Sequence, residues 1–247
     1  MSAHRGLDAR VNADVLEDTM LTSARSHPRL GSWAAASLTT VVMTAATLTV
    51  TAAPAQAGSY SAPLRTAISQ LTVATEVRTG YDRTLFPHWK DLDGDCQDAR
   101  HEVLVAESTV SPTFTTSSRC SVSTGRWLSY YDRATWTAAS DVDIDHVVAL
   151  AEAWDSGARS WTTTRRQSFA NDLGDARSLA AVTDDVNQSK SDQDPSTWLP
   201  TYDVCRYVLE WTAVKIRWGL TVDSAEKSSL TSQAAQCTNV TLSVTTV

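Results

Sequence analysis

No C-x-x-C pair occurs in this chain of 247 residues; its four cysteines stand far apart, at 96, 120, 205 and 237. That spacing speaks against a zinc ribbon or a thioredoxin-type site. Positive charge is not in surplus either. Twenty-one Lys and Arg face 28 Asp and Glu, for a net charge of −7. This is not the electrostatic footprint of a tight polyanion binder. A site needing only brief contact depends on local clusters rather than on the total. The G-x-S-x-G signature of serine hydrolases is absent. No internal repeat is visible, and nothing resembles a base-reading helix.

Charge itself is missing from one long stretch, between Arg29 and Arg65. Within it, Trp33 to Val50 is rich in Ala, Thr, Val and Leu, and Ala55-Gln56-Ala57 follows. A basic flank, an apolar region and a small-residue site form a secretory signal. The many Thr and Ala make the stretch a poor membrane span. Residues 1–57 are therefore read as a signal peptide with a long n-region, cleaved after Ala57, with Met1 or Met20 as the start. Residues 58–247 are read as a single secreted, extracellular domain, free of the membrane. Four cysteines after an export signal imply two disulfides.

What the sequence does hold is aromatic weight. Nine Trp suggest a core built from large rings rather than from Leu and Ile. Helical spacing runs from Leu64 to Val77, from Leu150 toward Gly157, and from Thr162 to Leu173. Gly125 to Tyr131 alternates as a strand, with a turn at Asp132-Arg133, and 178–182 reads as a second short strand. The C-terminal region is a helical pair. Val204, Tyr207, Val208, Trp211, Val214 and Trp218 form one apolar stripe, Gly219 ends it, and Asp223 to Glu226 caps the next helix. Antiparallel helices of similar length bring Cys205 and Cys237 to the same end. Of the three possible pairings, Cys96–Cys120 and Cys205–Cys237 are thus expected, each contributing about 3–4 kcal/mol by loop entropy.

The most informative stretch is Asp143-Ile144-Asp145-His146-Val147-Val148. It sets an imidazole beside a carboxylate on an apolar strand. Downstream, Asn187-Gln188-Ser189-Lys190-Ser191-Asp192 lies at a helix start capped by Asp184 or Asp185. A neutral His can act as general base on water. One carboxylate and one amide oxygen suffice for Mg²⁺, or Mn²⁺, which keeps several waters. Asp145 and Asn187 are the expected ligands and His146 the expected base, a set suited to phosphodiester hydrolysis. Adjacent strand residues point to opposite faces, so a twist or bulge is expected where both serve one site. Lys190, Arg165, Arg166 and Arg177 are candidates for phosphate contact. Glu152 is a candidate for holding a metal-bound water or pairing with an Arg.

Asp145-His146 on a strand, a return strand at 178–182 and Asn187 on the following helix resemble the HNH (ββα-metal) endonucleases. Asn187 to Asp192 is similar to the metal-binding segment of the HNH domain in RNA-guided nucleases. A longer resemblance, to secreted HNH nucleases of actinobacteria, takes in Gly80 to Arg83, Asp98 to Leu104, Asp143 to Trp154, Phe169 to Leu173, Asn187 to Trp198 and Cys205 to Tyr207. It implies an α+β fold: a ββα-metal core over about 134–195, surrounding helices and a disulfide-linked C-terminal hairpin. It implies an endonuclease of little sequence specificity, acting on DNA with RNA as the second candidate substrate, and the chain is expected to be a monomer. The Asn that orients the base in that family falls near Ser178; Asn171 or a backbone carbonyl can replace it.

A second acidic stretch, Asp91-Asp93-Asp95-Gln97 with Glu102, matches calcium-loop positions except that Cys96 stands where Gly is required. A disulfide-anchored loop is the preferred reading and bound Ca²⁺ the other. The competing function is a calcium-stabilised extracellular binding module on a catalytically silent scaffold of the same kind.

Overall fold

The computed structural model describes residues 58–247. The expected signal segment and its cleavage after Ala57 lie outside the described residues.

Strand β1 (Ser59–Pro63) leads into helix α1 (Leu64–Gln70), and α2 (Ala99–Glu107) follows a long irregular segment. Strands β2 (Thr113–Phe114), β3 (Val122–Leu128) and β4 (Thr135–Ala138) form one antiparallel sheet. Strand β5 (Val142–His146) precedes α3 (Leu150–Asp155) and α4 (Thr163–Ala170). Strand β6 (Leu179–Thr183) pairs antiparallel with β5 and runs directly into α5 (Asp184–Lys190). Helices α6 (Val204–Trp218) and α7 (Ser224–Ala235) and strand β7 (Thr241–Thr245) complete the chain, and β7 pairs with β1. The result is a mixed α+β fold with small sheets and two disulfides.

The core is aromatic, as the tryptophan content predicts. Phe86, Tyr131, Trp154, Phe169, Tyr207, Trp211 and Trp218 share one buried cluster with aliphatic neighbours. A smaller cluster lies between α2, β3 and the β5–β6 pair. There the Trp127 indole donates to the Leu104 carbonyl at 2.8 Å, so a buried ring keeps its polar atom satisfied.

The C-terminal pair forms as its spacing dictates. Gly219 ends α6 at φ +65°, where a side chain would be strained. The Asp223 carboxylate accepts from the Glu226 amide at 2.7 Å and caps α7. Disulfides join Cys96 to Cys120 and Cys205 to Cys237.

Three expectations need correction. Helix α1 stops at Gln70 rather than near Val77. The β-branched pair Thr72-Val73 turns extended and bridges Val222, with the Val222 amide donating to the Thr72 carbonyl at 3.0 Å. Strand β3 begins at Val122 and ends at Leu128, because Tyr130 and Tyr131 leave it to be buried. Helix α4 ends at Ala170, since the Asn171 side chain is drawn to the Pro87 and Gln167 carbonyls at 2.7 and 2.8 Å. The β1–β7 pairing was not foreseen, although Leu242 and Val244 alternate inward on β7.

Candidate active site

Strand β5 and helix α5 bring Asp145, His146 and Asn187 to one cavity of about 490 Å³, which Tyr81, Arg83 and Asp192 also line. The β5–β6 register is regular, pairing Asp145 with Ala180 and His146 with Leu179. Of the expected twist or bulge, the bulge is therefore not there. Instead the cavity wraps the C-terminal end of β5, taking in Ile144 on one side and Ala149 to Ala151 on the other.

The His146 ring is buried, with 6% exposure. Its Nε2 lies 2.9 Å from the Ala170 carbonyl oxygen. A carbonyl only accepts, so Nε2 carries the proton and Nδ1 is left with the lone pair. Burial lowers the imidazole's pKa to about 3, against a smaller upward pull from that carbonyl; Arg83, His88 and Lys190 push the same way as burial. The ring is neutral across the physiological range. Trp89 flanks it at 5.3 Å between centroids, from a backbone at φ +53°, a conformation rare for a bulky residue and frequent at functional sites.

Both Asp145 oxygens already accept a hydrogen bond. Oδ1 receives the Lys190 ammonium at 2.9 Å and Oδ2 the Tyr131 hydroxyl at 2.6 Å. Burial raises this carboxyl's pKa, while Lys190 and Tyr131 oppose the rise. Lys190 also donates to the His146 carbonyl at 3.1 Å, so one ammonium ties together both residues of the Asp-His pair. The Asn187 amide nitrogen donates to Asp143 Oδ2 at 3.0 Å. Its carbonyl oxygen keeps its lone pairs.

The residue that orients the imidazole is thus a backbone carbonyl. Ser178 donates to Asp172 at 2.7 Å. Asn171 pins the 87–90 loop, also accepting from the Lys90 amide at 2.8 Å. The four cations expected to meet phosphate are engaged elsewhere. Lys190 is fully buried. Arg165 donates to the Trp218 and Val247 carbonyls. Arg166 donates to the Leu85 and Trp161 carbonyls. Arg177 pairs with Asp175 at 2.6 Å. Glu152 is buried against Lys215 at 2.5 Å, a lysine in place of the expected Arg. Sequence reasoning missed Tyr131, which nothing in its strand-like surroundings marks, and Trp89. It also assigned no role to Arg83, within a segment noticed only for its resemblance.

In the acidic loop, the Asp91, Asp93 and Asp95 carboxylates lie within 4.8 Å of one another. Asp91 accepts from the Gly94 and Cys96 amides at 2.7 and 3.0 Å. Cys96 takes φ +78°, the left-handed conformation that Gly supplies at this place in a calcium loop.

Residues 98–233 match the family described as "GmrSD restriction endonucleases, C-terminal domain". The chain belongs to this family. The match begins at the α2 cap and runs nearly to the end of α7, so the whole cavity except its 81–83 wall lies inside it. A protein of Arthroderma benhamiae, named an uncharacterized secreted protein, is 46% identical over 202 residues, covering 79% of this chain and 97% of its own. The secreted destination read from the sequence agrees with that relative. No helix among the described residues is long and apolar enough to cross a membrane. No solved structure matches the chain. The family description carries neither the HNH subtype nor the actinobacterial type that the resemblance pointed to.

Proposed function

We propose that this family member is a secreted, metal-dependent endonuclease of the HNH (ββα-metal) type, hydrolysing phosphodiester bonds of DNA, with RNA the second candidate substrate, and with little sequence specificity. One observation carries the reading. An imidazole with a fixed tautomer stands on one cavity with an adjacent carboxylate and an amide, on two antiparallel strands followed directly by a helix.

The donors suit a hard divalent cation. Asp145 and Asn187 offer only oxygen, and the amide's nitrogen is occupied by Asp143, which leaves its oxygen for a ligand. Each Asp145 oxygen retains a lone pair beyond its one bond. Lys190 already offsets part of the carboxylate's charge, so an ion there is held weakly and relies on waters to fill its shell. Mg²⁺ or Mn²⁺ bound by these two residues supplies Lewis-acid stabilisation of the anionic transition state and of the leaving oxygen.

The chain's own groups do the rest. Ala170 holds the imidazole so that Nδ1 can take a proton from water. Burial keeps that nitrogen unprotonated before substrate arrives, and an entering phosphate raises its proton affinity by its negative charge. Lys190 and Tyr131 fix the Asp145 carboxylate, so its geometry is set before binding.

Plasmid incubated with purified protein, with and without chelator and beside His146→Ala, tests the reading. Cleavage is expected from the wild type alone, with chelator and substitution each abolishing it and circular dichroism unchanged. Calcium binding with plasmid left intact would favour the binding module instead.

A further inference from the structure

Every charged side chain on the cavity wall but one is held in an ion pair. Asp145 is matched by Lys190 at 2.9 Å. Asp192 is matched by Arg78, which also holds Asp155 at 2.6 Å. Arg83 is the charge left over. It is exposed on the cavity wall, and among the described residues it has no carboxylate partner. Its neighbour Asp82 is turned away to cap a short helical turn, accepting from the Thr84 amide at 2.8 Å and the Thr84 hydroxyl at 2.7 Å. The fork of Arg83 is thus unmatched by any carboxylate; beside it stands only the Tyr81 hydroxyl, and both line the same cavity as His146. A free guanidinium matches phosphate oxygens in a bidentate way that an ammonium cannot.

Resting on the nuclease reading above, we propose that Arg83 is the residue that receives the scissile or adjoining phosphate of a nucleic-acid strand. It does so by a single guanidinium–phosphate contact that sets the substrate against His146. A chain of net charge −7 would then need no basic surface, only this one unpaired guanidinium on the cavity wall. Few neutralised phosphates mean a shallow salt dependence, because each contact contributes a slope of about 0.7 to 0.9.

The test is fluorescence anisotropy of a labelled single-stranded oligonucleotide with the full chain in chelator, across a salt series, for wild type, Arg83→Ala and Arg83→Lys. The wild-type slope of log Kd against log salt is expected to be about 0.7, one contact on a single strand. Arg83→Ala should raise Kd about five- to tenfold and bring the slope close to zero, with the melting temperature unchanged because the side chain is exposed. Arg83→Lys should restore the slope but only part of the affinity. An Arg83→Ala slope equal to wild type overturns the assignment, and so does wild-type protein with no measurable binding at about 50 mM salt. Plasmid cleavage by the wild type reports separately on the nuclease reading: cleavage with an unaltered Arg83→Ala slope sinks this contact alone, whereas no cleavage sinks the reading beneath it.

Discussion

Two lysines are wholly buried in this protein, and they sit in different surroundings. Lys215, on α6, donates to Glu152, Ser156, Glu226 and the Thr221 carbonyl. Both of its carboxylate partners are sealed from solvent, and the Trp211 indole closes the remaining side of Glu226. Lys190, at the end of α5, has one carboxylate and one carbonyl, and that carboxylate lines a cavity. Removing a buried charge from water is costly and is offset only where every donor and acceptor is met. In the α6 cluster the Lys215 ammonium and its two carboxylate partners meet one another inside the core. The α5 pair leaves Asp145 with spare lone pairs at an open wall, which is the arrangement a ligand site needs. The chemistry of the two pairs is the same, and their position separates a structural device from a candidate functional one.

Substitutions can break this comparison. Lys215→Met strands two carboxylates in a sealed core, and urea unfolding should show the largest loss, about 3–5 kcal/mol; cleavage per folded molecule should not change. Removing the Cys205–Cys237 bridge, which ties α6 to the end of α7, should cost about 3–4 kcal/mol by loop entropy and leave the cavity's activity intact in the folded fraction. Lys190→Met should cost less, about 2–3 kcal/mol, because Asp145 can draw on water at the cavity wall. Cleavage, however, should fall well beyond the unfolded fraction. If Lys190→Met and Lys215→Met show the same ratio of activity loss to stability loss, the distinction between the two pairs is lost.

The smallest expected effect is on pH dependence, where the Glu226 cluster and His146 carry opposite signs. Burial raises the Glu226 carboxyl, and Glu76 beside the same cluster is raised to about 7, by burial first and by Glu152 next. The fold holds protons there that the unfolded chain releases near pH 4.5, so this stability is lost as pH climbs from about 4.5 through about 8. His146 is lowered to about 3, so the unfolded chain binds the extra proton. Its contribution is lost as pH falls from about 6.5 toward 3. Thermal unfolding should give a lower midpoint at pH 8 than at pH 5.5, and Glu226→Gln should flatten that alkaline limb. An unchanged limb in that variant would remove the cluster from the account.

How much was legible follows the range of each interaction. Helices α6 and α7 were plain because stripe, Gly219 stop and Asp223 cap are local signals, and the pairing of Cys205 with Cys237 follows from them. The order of β5, β6 and α5 was legible too, and the structure brings Asp145, His146 and Asn187 to one cavity. What sequence could not show is where a long side chain goes. Arg166 and Lys190 lie in a polar stretch that reads as surface, yet the carbonyls and carboxylate that hold them come from Leu85, Trp161 and strand β5. The Ala170 carbonyl that orients His146 has no side-chain signature at all. The Tyr131 hydroxyl reached Asp145 from a segment read as strand.

The most direct test of the central claim is a crystal of the protein soaked with Mn²⁺ and measured for anomalous scattering. A peak is expected in the cavity within coordination reach of Asn187 Oδ1 and the Asp145 carboxylate. A peak confined to the Asp91–Asp93–Asp95 loop, from protein that still cleaves plasmid in Mn²⁺, would contradict the claim.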